Sequence, residues 1–198
     1  MNQISRIYEA LLNRREKICG KQEIVGIAKE YKKKFRAPIS LPNTIKYLSR
    51  HKYIKRIFKS YYYINSVDER KRNYCHYEDK ELLFTVLNKL GIKWYLGLGS
   101  ALYLSGRKWQ VPLVIHILNN EFSGKGKILS LNVKFSKVKE SLFFGLKKAK
   151  TKNNAEYYYS SPVKTSLDAI YLKMPGELIK NKDVKKYLRH YPKWVGKK

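Results

Sequence analysis

The sequence predicts an α/β (α+β) chain in two parts: a helical segment ending in a β-hairpin, then a mixed α/β domain around one central sheet. Three observations lead there. Apolar residues in the first fifty positions recur at helical spacing, and residues 53–65 then turn into short β-prone runs. A polar, charged stretch, Asn65 to Glu81, interrupts any periodicity. Beyond it, apolar strand-like and helix-like runs alternate.

In order, Ile4, Ile7, Tyr8, Leu11 and Leu12 form one face of an amphipathic helix, with Asn2 as a plausible cap. "RREKICGKQ" breaks it, and Ile24, Ile27, Ala28 and Tyr31 mark a short second helix. "KKKFRAPISLP" reads as a turn, and Pro42 suits the first turn of a third helix, preceded by Ser40 or Leu41. That helix runs to about His51 with Ile45 and Leu48 inward. "YIKRI" and "YYYIN" then pair as a hairpin around Phe58-Lys59-Ser60. Strand alternation buries either Tyr61 and Tyr63 or Tyr62 alone.

Charge narrows the partners. The chain has 43 basic and 15 acidic side chains, a formal net charge of +28, which favours nucleic acid first and an anionic membrane surface second. The excess is shared: residues 1–73 hold 19 basic and 6 acidic groups, residues 74–198 hold 24 and 9. Patterning separates them. From residue 31 to 67 there is no Asp or Glu, although ten Lys and Arg fall there. No run of 18 apolar residues is present, and "MNQISRIYEALLNRREK" lacks the apolar core of a signal peptide. A cytoplasmic chain without a membrane partner is expected. Cys19 and Cys75 make neither a disulfide framework nor a zinc cluster, so no metal or other cofactor is expected.

Helix, helix, turn, helix, hairpin is the order of a winged helix-turn-helix, placed here at residues 1–66 with 67–80 as linker. A recognition helix and a wing both lie within a Debye length of DNA phosphates, where carboxylates are repelled. The acid-free run coincides with those two elements. Asn43, Thr44, Lys46, Tyr47 and Arg50 lie off the Ile45/Leu48 stripe and are candidates to reach base edges. Lys55, Arg56 and Lys59 on the wing are candidates to hold phosphates. The alternative for each is an ordinary solvated side chain.

The second domain spans 81–198. A helix with Leu82, Leu83, Val86, Leu87 and Leu90 inside is capped near Gly91. "KWYLGLGSALYLSG" reads as strand, glycine turn and helix; "VPLVIHILNN", "KILSLNVKFS" and "EYYYSS" read as strands. Ser161-Pro162 opens a helix, and "ELIKNKDVKKYLRHY" is a final one. Nucleotidyltransferases place a pair like Gly99-Ser100 against nucleotide phosphates and need two carboxylates on the following strand. No Asp or Glu occurs between Leu82 and Asn120, so the fold is either a catalytically empty relative or the turn is structural. The competing reading is a nucleotidyltransferase-like or nuclease enzyme using Gly99-Ser100 with Asp168.

"YLGLGSALYLSG" (Tyr95 to Gly106) and "YYSSPVKTSLDAIYL" (Tyr158 to Leu172), behind an N-terminal winged helix, give a chain that resembles the AbiEi-type antitoxins of type IV toxin–antitoxin pairs. The resemblance covers nearly the full length. It implies an autorepressing, non-enzymatic transcriptional regulator that binds double-stranded operator DNA as a monomer or homodimer. It also implies a C-terminal domain that counters a nucleotidyltransferase-like toxin. Gly99, Ser100, Ala101, Lys164, Thr165, Leu167 and Asp168 match family-like positions. A tyrosine-rich wing and a strongly basic second domain depart from the pattern.

Overall fold

Ile7, Tyr8 and Leu11 of α1 (Gln3–Leu12) are buried, as the helical spacing requires, against Ile24 and Ala28 of α2 (Lys21–Phe35) and Leu48 of α3 (Leu41–Arg50). The computed structural model describes residues 3–35, 41–174 and 183–197, so the proposed caps Asn2 and Ser40 and residues 177–182 of the final helix lie outside it. The chain is mixed α/β with two sheets and divides into two units, Met1–Val86 and Leu87–Lys198.

The first unit contains a strand that sequence reading takes as a break. β1 (Ile18–Gly20) pairs antiparallel with β3 (Tyr61–Ile64), which also pairs with β2 (Ile54–Phe58). The sheet order β1-β3-β2 makes β3 the central strand. Both its faces are covered, so Tyr62 and Tyr63 are both buried and neither alternation scheme holds. Tyr62 joins the helical core, and Tyr63 donates from its hydroxyl to Glu69 Oε1 at 2.7 Å.

The segment expected to be a linker is folded. Ser66 and Glu69 form a capping box at the start of α4 (Val67–Arg72): Glu69 N donates to Ser66 Oγ at 3.2 Å, and Ser66 N donates to Glu69 Oε2 at 2.7 Å. His76 N adds a third donor to Glu69 at 2.9 Å. Burial opposes the charge of Glu69, but these bonds outweigh it and hold its pKa below the ordinary carboxylate value. Arg70 lays its guanidinium 3.7 Å from the Tyr53 ring centroid and 5.2 Å from that of Tyr8. These contacts fasten residues 66–76 to the sheet, and the chain divides into its two compact units after Val86, within α5 (Asp79–Lys89).

The second unit is built on a six-stranded mixed sheet, order β6-β7-β5-β4-β9-β8. Its strands are β4 (Trp94–Leu96), β5 (Ile115–Asn119), β6 (Gly124–Ile128), β7 (Leu131–Lys137), β8 (Leu146–Lys150) and β9 (Glu156–Ser160). "KILSLNVKFS" is therefore a hairpin turn and its return strand, because Leu129 and Ser130 reverse the chain. Both edge strands expose lysines: Lys125 and Lys127 on β6; Lys147, Lys148 and Lys150 on β8.

α6 (Leu98–Leu104) follows β4, α7 (Pro162–Tyr171) follows β9, and α8 (Asp183–Leu188) leads to a 3-10 turn, Lys193–Lys197. Ser161 caps α7, and Pro162 stands in its first turn. Lys164 and Asp168, one turn apart on α7, are both fully buried. Lys164 Nζ lies 2.9 Å from Asp168 Oδ1; Tyr95 and Tyr191 donate to the same carboxylate at 3.0 and 2.5 Å. Burial drives the Asp168 carboxyl up and the Lys164 ammonium down from their ordinary values, against their mutual attraction.

Removing one member strands a buried charge. Asp168→Ala is therefore expected to cost about 3–5 kcal/mol in urea unfolding, and the double change Lys164→Met/Asp168→Leu much less. Losses that simply add would show that the pair is not coupled.

Candidate nucleic-acid interface

Within α3 the inward stripe is Thr44 and Leu48, one turn apart, with Ile45 half-buried beside them. Thr44 is 2% exposed and is withdrawn from the base-reading set. Its hydroxyl-bearing side chain is short enough to be turned into the core, which period counting from Ile45 and Leu48 alone does not resolve.

The remaining four candidates, Asn43, Lys46, Tyr47 and Arg50, are exposed and follow i, i+3, i+4, i+7 spacing. They form one polar stripe along the helix. His51 continues it: its ring lies 4.1 Å from that of Tyr47, at 34°. The i, i+4 spacing from Tyr47 is the signal that identifies His51 as a further member.

On the hairpin, Arg56 and Lys59 are exposed and Lys55 is not free. Lys55 Nζ lies 3.1 Å from Asp79 Oδ1, so one wing candidate is already paired. That partner is distant in sequence and could not be anticipated from the strand. Arg56 Nε donates to Lys59 O at 3.1 Å, closing the turn in which Lys59 takes a left-handed φ of 49°. The hairpin register shifts between Arg56 and Phe58, a bulge that increases the local twist.

Acidic groups flanking this face have local structural duties. Glu23 accepts from Gly20 N at 2.6 Å in the first turn of α2 and pairs with Arg14. Asp68 and Glu69 stand in the first turn of α4, where the helix dipole favours them. The basic face thus presents donors, and nearby carboxylates are spent on helix starts.

The Gly-Ser turn of the second unit resolves differently. A Cβ on Gly97 would meet Leu118 Cδ1 at 2.4 Å, so the chain leaving β4 needs glycine there, and Leu98 next to it has a φ of 50°. Gly99 has ordinary room. Ser100 is buried and its Oγ accepts from His116 N at 3.0 Å, completing a bond that the short β4 leaves open. Asp168 is consumed by the buried pair described above. Among the described residues no group of three or more His, Cys, Asp or Glu is placed to hold a metal ion.

Compared with known families and curated proteins, the chain matches no family model and no curated sequence.

Gly97→Ala is expected to destabilise the second unit by about 1–3 kcal/mol through overpacking against Leu118. Gly99→Ala, on α6, should be neutral or slightly stabilising. Thermal unfolding of the two variants checks this; equal losses would place the constraint on the whole turn.

Proposed function

We propose that the chain is a sequence-specific, double-stranded-DNA-binding transcriptional regulator. Its first unit acts as a winged helix-turn-helix, α3 being the recognition helix and β2–β3 the wing. The observation that carries this reading is the exposed Asn43, Lys46, Tyr47, Arg50 stripe inside a run free of carboxylates from residue 31 to 67. A helix face that offers two cations, an amide and a phenol, and no carboxylate, suits a major groove rich in acceptors. Arg56 and Lys59 supply phosphate contacts beside it. The resemblance to AbiEi-type antitoxins extends the proposal to a cytoplasmic autorepressor that opposes a nucleotidyltransferase-like toxin and binds its operator as a monomer or homodimer.

No catalytic role is assigned to Ser100 or Asp168. What supports this is their chemistry in place: the Ser100 hydroxyl serves the His116 backbone, and the Asp168 carboxylate already has an ammonium and two phenols around it. A regulator needs neither group to be accessible.

Binding to the chain's own upstream DNA should weaken steeply with salt, giving a strongly negative slope of log affinity against log salt concentration. A flat slope rejects phosphate-driven binding. Arg50→Ala should cost about 1–3 kcal/mol on the preferred duplex and relax base preference, whereas Lys59→Ala should weaken all duplexes alike and lower the salt slope by about 1. Equal losses for Arg50→Ala on preferred and random duplexes would contradict the assignment of α3 to the groove.

A further inference from the structure

A cleft of about 540 Å³ lies in the first unit along the outer side of β2, bounded by the end of α3 and by the turn that follows α4. Four cations line it, Lys52, Lys55, Arg56 and Arg70, against one carboxylate, Glu69. The oxygens of Glu69 already accept from Tyr63, Ser66 and His76, so that charge is spoken for. Lys55 is held by Asp79. Among the described residues Lys52 has only a neutral partner, Asn73 Oδ1 at 2.9 Å, and Arg56 has only the Lys59 carbonyl. Arg70 lines the cleft with its guanidinium laid against two aromatic rings, and among the described residues no carboxylate pairs with it. Among the described residues, then, three cations around one cleft have no counter-anion, and like charges gathered in this way favour an anionic occupant.

We propose that this cleft binds a phosphate group, with Lys52, Arg56 and Arg70 as its ligating cations. A tetrahedral phosphoryl oxyanion, whose oxygens point in several directions, matches converging donors better than a planar carboxylate does, and a guanidinium fork fits its edge. Asn73 also borders the cleft and supplies neutral hydrogen-bonding groups. The group can come from a free phosphorylated molecule or from a nucleic-acid backbone, and the chemistry is the same. Because Arg56 also belongs to the wing, an occupant of the cleft and DNA on the wing share a residue.

The test is calorimetric titration of inorganic phosphate into the full chain, against sodium chloride at matched ionic strength. Saturable binding is expected, weakened roughly tenfold or more by Lys52→Gln and by Arg56→Gln. Both side chains are exposed, so neither change removes core packing. A response that only follows ionic strength, or saturable binding of unchanged affinity in both variants, overturns the proposal. Titrating a short duplex into the Lys52→Gln variant, altered in the cleft and not on the wing, separates the sources. Duplex affinity lowered along with phosphate affinity marks a backbone phosphate as the occupant, and unchanged duplex affinity marks a free phosphorylated molecule. Phosphate binding is read without DNA, so failure of the regulator reading leaves this result interpretable.

Discussion

One buried carboxylate organises the first unit. Glu69 is 2% exposed and stays charged because Tyr63, Ser66 and His76 all donate to it. Through those bonds it joins the central strand, the start of α4 and the turn beyond. That arrangement carries Arg70 onto Tyr53 and Tyr8, closes one wall of the basic cleft and covers the far face of β3. Without it Tyr63 would be a buried phenol lacking this acceptor, and residues 66–76 would be held to the sheet by little more than Arg70 on its two rings and the Lys52–Asn73 bond.

The second unit follows the same rule with a different partner. The carboxylate of Asp168 is compensated by Lys164 and two tyrosines, one from β4 and one from the C-terminal segment. Tyr191 therefore ties residues far apart in sequence to one core, alongside Val195 and Leu167. In both units an inward acid orders the fold, while most of the cations, Lys164 apart, are left outward. That division of labour is what lets so basic a chain keep a defined core.

Much of this was legible in advance, and the misses have physical causes. Helical spacing located α1 and α2 and the inward Leu48, because amphipathicity is a local pattern. Thr44 escaped because a small polar residue carries no hydropathic signal of burial. Ser66-x-x-Glu69 is a capping signature, yet it lay in a segment without apolar periodicity and so read as linker. Tyr62 and Tyr63 broke strand alternation because the helices cover one face of β3 and the segment after Ser66 covers the other. Lys55 was committed by Asp79, a pairing fixed by tertiary structure alone. The glycine turn was visible, but only the closeness of Leu118 showed which glycine mattered.

The lysines on β6 and β8 have a consequence for how copies of this protein meet. An unpaired strand offers hydrogen bonds to any extended neighbour, and both rims of the six-stranded sheet carry lysines that such a neighbour must approach, Lys148 and Lys150 being paired with Glu156 on β9. Edge-to-edge polymerisation is thereby discouraged at low ionic strength. Added electrolyte shortens the reach of that repulsion, so concentrated solutions should be most prone to fibrillar growth in high salt, where a net charge of +28 no longer keeps molecules apart.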